Sequence, residues 1–438
     1  MKDVADDKRV ALLCQHFYPE MVGTGLHMTE LASSLSERGW NLRIYCSGVL
    51  EIEDPPPSCE IFPGIEIRRV HWMQRSNRKI ASRLAGAASF VVAVGTALIR
   101  DRCDLKALLV TTNPPFLGLA ALAARWLFGL PYVLIVYDVY PDIAVKLGVI
   151  KGGSLIGRLW GLLSRVTLNG AATAIVIGRD MEEVIRSKVT RTTVPVVNIP
   201  NWFDERKVKQ QRHAANRFVR DSGVEGRVVV QYAGNMGRTH NLEPLITAAI
   251  ELRHETNLLF QFIGDGANRP AIERMVLDAN LANVQFFPYQ PITRLSDVLS
   301  AADLAVVVLS SGFTGLSVPS KAYGAMAHGV PILGLVEPWS EIGRVIVESG
   351  CGVVLHPASA ERIVEVLRDL VRHPDKFRSM GDAGQSAFQA SHTLSRAARS
   401  YDAVLRDVLR AHTRGTLEDN TANSRDSSCG PALGQGLQ

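Results

Sequence analysis

Residues 311–331, SGFTGLSVPSKAYGAMAHGVP, decide how the rest of the chain is read. The run Asp303-Leu-Ala-Val-Val-Val-Leu309 precedes them and Ile332-Leu-Gly-Leu-Val336 follows. Both runs are short, continuous and rich in branched aliphatics, which predicts parallel strands buried on both faces. Between them Gly315, Ser317, Ser320 and Lys321 fall in a loop, and a helix then runs to Gly329-Val330-Pro331. In a strand, loop, helix, strand unit the loop lies at the carboxyl edge of the sheet. Backbone N–H groups and the positive end of the helix converge there on anything anionic. A phosphate is the expected occupant.

The same order recurs outward in both directions. Arg9–Cys14 predicts a first strand, His16–Gly25 a loop containing Gly23-Thr24-Gly25, and the segment to Gly39 a helix closed by that glycine. Asn41–Cys46 completes a first crossover, and further strands are expected at 65–70, 105–112, 131–138 and 172–177. Asp138 ends one of these apolar runs, so it points toward the ligand edge of its sheet. A second series starts at Arg227, whose strand feeds Gly234-Asn235-Met-Gly-Arg238-Thr-His240, and Leu258–Ile263 enters Gly264-Asp265-Gly266. The expected fold is α/β, two tandem Rossmann-like doubly wound domains with a cleft between them. The boundaries drawn are 1–205 and 206–412, with the last helix packing back on the first domain and a disordered tail over 413–438.

Composition narrows the class. The 438 residues are 47% hydrophobic and 21% charged, ordinary for packed domains, with a net charge of +5. That balance suits an anionic ligand, and no nucleic-acid-binding motif accompanies it. The six cysteines show no metal-ligand spacing and no paired framework, so no metal is expected and a reducing cytoplasm fits. The N-terminus carries no signal-peptide pattern. One stretch suggests a membrane surface: Arg75, Arg78, Lys79 and Arg83 precede the uncharged segment from Leu84 to Ile99. It is shorter than the roughly 20 residues of a spanning helix. It reads equally as an interfacial helix on an anionic bilayer, at the inner face of the plasma membrane, or as a buried helix of the domain.

The chain resembles the GT-B glycosyltransferases of the group 1 (family 4) class, most of all the branch with colanic-acid and O-antigen biosynthesis enzymes. The pieces that carry the resemblance are FYPEMVGTGLHMTELASSLSERG, YDVYPDIAVKLGV, IPNWFD, QYAGNMGRTHNLEPLITA, FIGDG, ADLAVVVL and GLSVPSKAYGAMAHGVPIL, in that order. It implies retaining transfer of a hexosyl or N-acetylhexosaminyl group from a UDP- or GDP-sugar, held by the C-terminal half, to a saccharide acceptor, lipid-linked, held by the N-terminal half. It implies no cofactor and no catalytic metal, so positive groups and helix N-termini would stabilise the departing diphosphate.

Residue by residue, the resemblance assigns Gly234, Asn235, Arg238 and His240 to the diphosphate turn. The class commonly has an Arg and a Lys there, and Arg238 would supply charge from a different position. Gly264 and Asp265 would lie near the base, and Gly23 and Thr24 across the cleft. Ser317, Ser320 and Lys321 would lie near the phosphates, with Lys321 as the cationic contact. Where the class often carries a ribose-binding Glu, this chain has Gly324, and Glu341 is the candidate substitute, equally readable as an ordinary helix N-terminal acid. Asp138 is the candidate catalytic residue, where the class often has a His or Asp that hydrogen-bonds the transferred sugar or accepts the acceptor's proton; a plain turn cap is the other reading. Two other classes share the two-half architecture: a nucleotide-sugar 2-epimerase and a non-catalytic nucleotide-sugar binder.

Overall fold

The structure, a computed structural model, describes residues 9–20, 23–48, 62–72, 80–191, 194–209 and 216–426. The first half builds a sheet from β1 (Arg9–Leu13), β2 (Asn41–Ser47), β3 (Ile65–Val70), β4 (Ala107–Thr111), β5 (Tyr132–Val136), β6 (Thr173–Val176) and β7 (Val196–Asn198). The second builds one from β8 (Val228–Ala233), β9 (Leu258–Ile263), β10 (Val284–Phe287), β11 (Leu304–Val308), β12 (Ile332–Leu335) and β13 (Gly352–Val354). Their orders are β3-β2-β1-β4-β5-β6-β7 and β10-β9-β8-β11-β12-β13. Every pairing is parallel. Strand order reverses between β1 and β4 in one sheet and between β8 and β11 in the other, which opens a crevice at each carboxyl edge.

In β4, β5 and β9 every residue is buried, and β1, β8 and β11 are buried over most of their length. That explains why they read as unbroken apolar runs rather than alternating ones. Polar side chains enter the second sheet as a ladder. Gln231 Nε2 donates to Gln261 Oε1 and Gln261 Nε2 to Gln285 Oε1, each at 3.3 Å, across β8, β9 and β10. Because those residues are register partners, the ladder favours one pairing over slipped ones.

The chain crosses between the halves twice. Phe203 N donates to His392 O and Leu394 N to Phe203 O, both at 3.1 Å. The last helix, Leu394–Asp426, then packs on the first domain, with Trp40 Nε1 donating to Asp402 Oδ1 at 2.7 Å. Its backbone is helical as far as Asp426, within the segment drawn as a tail, and residues 427–438 lie outside the described residues.

The basic residues Arg75, Arg78 and Lys79 also lie outside the described residues, as does the side chain of Arg83. The apolar stretch behind them forms the helix Ile80–Asp101, which turns Phe90, Val94 and Leu98 into the core. Among the described residues no helix is long and apolar enough to cross a membrane.

Candidate functional site

The carboxyl edges of the two sheets meet. Beyond β5, Val139 N donates to Leu316 O at 3.0 Å, and Asp138 pairs with Ser317 as an isolated antiparallel bridge. Beyond β6, the buried Asp180 accepts from Gly315 N and from Glu341 N, each at 3.0 Å, through one carboxylate oxygen. Gly315 sits there at φ +75°, and a Cβ on it would come within 2.7 Å of Val184. Only glycine lets the loop after β11 approach the first domain so closely.

On the second domain, β8 runs into the turn 234–240. Gly234 and Gly264 have φ of +128° and +127°, and a Cβ on Gly264 would lie 2.3 Å from Gly234 O. The two Gly-rich turns are therefore pressed together backbone to backbone, an approach that a side chain on Gly264 would block. The turn is braced from within. Met236 N donates to Asp265 O at 2.8 Å, Tyr232 Oη to Asn235 O at 2.6 Å, and Asn268 Nδ2 to the carbonyls of Gly237 and His240 at 2.9 Å. His240 Nδ1 lies 2.9 Å from Asn235 O and 3.0 Å from Tyr232 Oη. Burial and then the Lys321 charge push the His240 imidazole down to about 3. It is neutral at pH 7, so it shapes the turn without adding charge to it.

Lys321 supplies the charge. It opens the helix Lys321–Ala327, and its Nζ lies 3.8 Å from the centroid of the Tyr232 ring. The same atom would be 3.5 Å from a Cβ on Gly234. Nζ is buried and has no hydrogen-bond partner among the described residues. Burial alone pushes its pKa down to about 7. A buried ammonium over a ring face gains a cation–π contact, but it lacks the anion that would offset its desolvation.

The predicted residues divide by position. Gly234, Asn235, His240, Gly264, Asp265 and Lys321 belong to one neighbourhood, joined by the contacts above. Ser320 occupies the N-cap of the Lys321 helix and makes no capping bond with its side chain. Ser317 lies three residues earlier in the same loop, against Asp138. Gly23, at φ +55°, caps the helix Thr24–Glu37, and Thr24 Oγ1 accepts from Asn113 Nδ2 at 3.2 Å, at the strand-order reversal of the first sheet. Arg238 is exposed and makes no ion pair among the described residues.

Glu341 stands apart from this group. Its Oε2 accepts from Arg179 N at 2.7 Å and from Arg179 Nε at 3.0 Å, and the residue is 3% exposed. Its carboxylate is committed to the seam between the halves. Gly324 is equally turned away: a Cβ there would meet Leu299 at 3.0 Å and Phe203 at 3.4 Å.

A cavity of about 840 Å³ lies beside the seam, mostly in the first domain. Phe116, Tyr140 and Trp160 form an aromatic wall, with ring centroids 4.7 Å apart for Phe116 and Trp160 and 5.7 Å for Tyr140 and Trp160. Asp138 stands at its edge, and Thr314 and Leu316 close it from the second domain. Phe116 is held at φ +72°, uncommon for a bulky residue and costly unless its surroundings impose it. Burial, partly offset by the Ser317 hydrogen bond, pushes the Asp138 carboxyl up to about 6. These aromatics were not picked out from the sequence. They come from three segments, and the signal near them was the Asn113-Pro114-Pro115 turn that ends at Phe116.

Two Rossmann-like domains joined at their carboxyl edges, with a cationic turn in one and an aromatic cavity in the other, define a two-domain glycosyltransferase architecture. Residues 22–202 match the glycosyl transferase 4-like domain and residues 216–387 match glycosyl transferases group 1. The chain is 32% identical over 301 residues to the probable glycosyltransferase WbjE of Pseudomonas aeruginosa, covering 68% of this chain and 74% of WbjE. It is 25% identical over 387 residues to the putative colanic acid biosynthesis glycosyl transferase WcaI of Escherichia coli K12, covering 82% and 91%. Its fold overlays HepE of Anabaena, solved with UDP-glucose, at a TM-score of 0.70 and 13% identity, covering 91% and 99%. The chain belongs to the group 1 glycosyltransferases.

Proposed function

We propose that this glycosyltransferase moves a hexosyl or N-acetylhexosaminyl group from a UDP- or GDP-sugar to a lipid-linked saccharide, with retention, in surface-polysaccharide assembly at the cytoplasmic side of a membrane. The observation that carries the donor assignment is the buried Lys321 Nζ beside Gly234, without a hydrogen-bond partner among the described residues. A diphosphate is the partner it lacks: it supplies the opposite charge and accepts the hydrogen bonds that Nζ has to give. The relatives support the class of donor and pathway, since HepE was solved with UDP-glucose and WcaI is named for colanic acid biosynthesis.

In this reading the bond between the sugar's anomeric carbon and the diphosphate oxygen breaks while the acceptor hydroxyl bonds to the same face of that carbon. The hydroxyl proton passes to the departing diphosphate. Lys321 and the N–H groups of the 234–240 turn stabilise the charge that collects on the leaving group, so no metal is called on. The cavity holds the acceptor, with Phe116, Tyr140 and Trp160 as apolar walls. Asp138, at its edge, hydrogen-bonds the transferred sugar or the incoming hydroxyl.

The experiment is thermal stabilisation by UDP, GDP, ADP and their sugars, for wild type beside Lys321→Ala and Arg238→Ala, followed by product analysis with and without saccharide acceptors. Binding to the folded state alone raises stability with ligand concentration. A shift with one nucleotide that Lys321→Ala removes, with acceptor-dependent sugar transfer, supports the proposal. A sugar changed without any acceptor identifies an epimerase, and binding without turnover identifies a binder; either result overturns it.

A further inference from the structure

The helix Leu155–Gly170 presents two sides of different character. Its inner side, with Gly157, Trp160, Gly161 and Ser164, lines the cavity. Its outer side carries Leu155, Ile156, Leu159 and Leu162, which are 84%, 63%, 54% and 58% exposed. Their spacing puts them along one stripe of the helix. A single exposed leucine is ordinary on a soluble protein, but four large aliphatics along one stripe mark an interaction surface. The neighbouring helix Leu117–Phe128, which packs against this one, adds exposed Trp126 and Leu127 on the same side of the sheet.

The charge around the stripe has one sign. Lys151 and Arg158 are exposed just before the helix and on it, Arg165 is exposed where the helix borders the cavity, and no Asp or Glu occurs between Asp142 and Asp180. Aliphatics flanked by cations and no anions suit a helix lying in the interface of an anionic bilayer, with the side chains entering the acyl boundary and the cations meeting phosphates. The same charge pattern disfavours a second copy of the chain, because a symmetric contact would set like charges against each other. The helix Ile80–Asp101 is the weaker surface: from residue 85 on, where its side chains are described, it buries Phe90, Val94 and Leu98 and leaves Val92 and Ile99 as the large exposed apolar residues.

We propose that the outer stripe of Leu155–Gly170 docks the enzyme on an anionic phospholipid surface, which brings the cavity lined by the inner side to the level of lipid headgroups. Docking is itself lipid binding and needs no turnover; it rests on the transferase reading only for its purpose, access to a lipid-linked acceptor.

The test is flotation of the full chain with vesicles of phosphatidylcholine alone or mixed with phosphatidylglycerol, at low salt and at about 0.5 M salt, where screening extends only a few ångströms. Wild type is compared with Leu155→Gln/Leu159→Gln/Leu162→Gln, with Arg158→Glu, and with Val92→Gln on the other helix. None of these positions lines the cavity or the nucleotide turn, so nucleotide-induced thermal stabilisation, which reports the donor site separately, stays at the wild-type value. The expected result is vesicle partitioning that requires phosphatidylglycerol, falls at least tenfold in the triple variant, falls several-fold in Arg158→Glu and at high salt, and is unchanged in Val92→Gln. Wild type remaining in the aqueous fraction, or a triple variant that floats like wild type, overturns the proposal. So does a lipid-free dimer that the triple variant dissolves, which would identify a second copy as the occupant.

Discussion

The two sheets share an order of strands and differ in what they place at its reversal. In the second sheet the turns after β8 and β9 are glycine-packed, tied by backbone and side-chain hydrogen bonds, and face one buried cation without an anion. In the first, the loops after β4 and β5 border an 840 Å³ aromatic space with a half-buried acid at its edge. A glycine-packed, hydrogen-bonded turn beside one buried lysine would suit a ligand that never changes, the proposed diphosphate, because preorganised donors need no rearrangement. A larger, mostly apolar space suits acceptors that vary in length and linkage, where shape selects more than charge. Under the proposed function one topology would serve two kinds of recognition, because the strand ends only position the loops and the loops carry the chemistry.

The sharpest way to break this contrast is Lys321→Met. It keeps the bulk and removes the charge, so nucleotide affinity should fall about a hundredfold, equivalent to about 2.7 kcal/mol, while acceptor-side properties stay unchanged. The unliganded protein should become more stable, since a buried charge without a partner costs free energy. Calorimetry of binding and of unfolding reads both. The pH dependence follows with a definite sign. A lysine pushed down to about 7 loses its proton in the empty folded site above that pH, while the unfolded chain keeps it up to the ordinary lysine range. Between those limits unfolding takes up a proton, so stability rises with pH. Diphosphate binding requires the charged form, so affinity should fall as pH rises above about 7. Lys321→Arg should flatten that fall, because its guanidinium stays protonated.

The other half is tested by Trp160→Ala. Opening the aromatic wall should raise the KM for acceptor about tenfold and leave nucleotide-induced stabilisation unchanged; an equal loss of donor binding would mean that the cavity is not a separate acceptor site. Asp138→Asn should have a smaller effect with a diagnostic pH profile. The carboxyl is pushed up to about 6, so kcat/KM should rise through that pH in wild type and lose the step in the variant. A wild-type profile flat from pH 5 to 7.5 would remove Asp138 from the chemistry and leave it as a structural partner of Ser317.

Much of this was legible in the sequence, and the exceptions have a common cause. Strands buried on both faces have to be apolar along their length, so β4, β5 and β11 could be read directly, and the glycines at 234 and 264 marked turns that only glycine builds. Lys321 was picked out by its loop between a strand and a helix together with the Ser320-Lys321 pair that carries the resemblance. Glu341 could not be assigned from local sequence. Its partner, Arg179, lies 162 residues away, and nothing near either residue records that one carboxylate would be spent on the seam. The cavity was hidden for the same reason, since Phe116, Tyr140 and Trp160 meet only after the β4–β5 and β5–β6 crossovers are packed. Sequence proximity reports turns and periods; sites made by juxtaposition need the fold.

The missing acid at position 324 gives the last and smallest test of the contrast. If the donor site had merely lost a family contact, Gly324→Glu would restore it and tighten nucleotide binding. The geometry argues otherwise, because the first side-chain atom would already meet Leu299 at 3.0 Å and Phe203 at 3.4 Å, both apolar. The carboxylate would have to enter that packing or displace it, at a cost of about 1–3 kcal/mol of overpacking strain. The variant should melt a few degrees lower and bind nucleotide no better than wild type, as read by thermal unfolding with and without UDP or GDP. Tighter binding in Gly324→Glu would mean that this helix turns toward the donor when the cleft is occupied, and the second half would then be less rigid than the contrast requires.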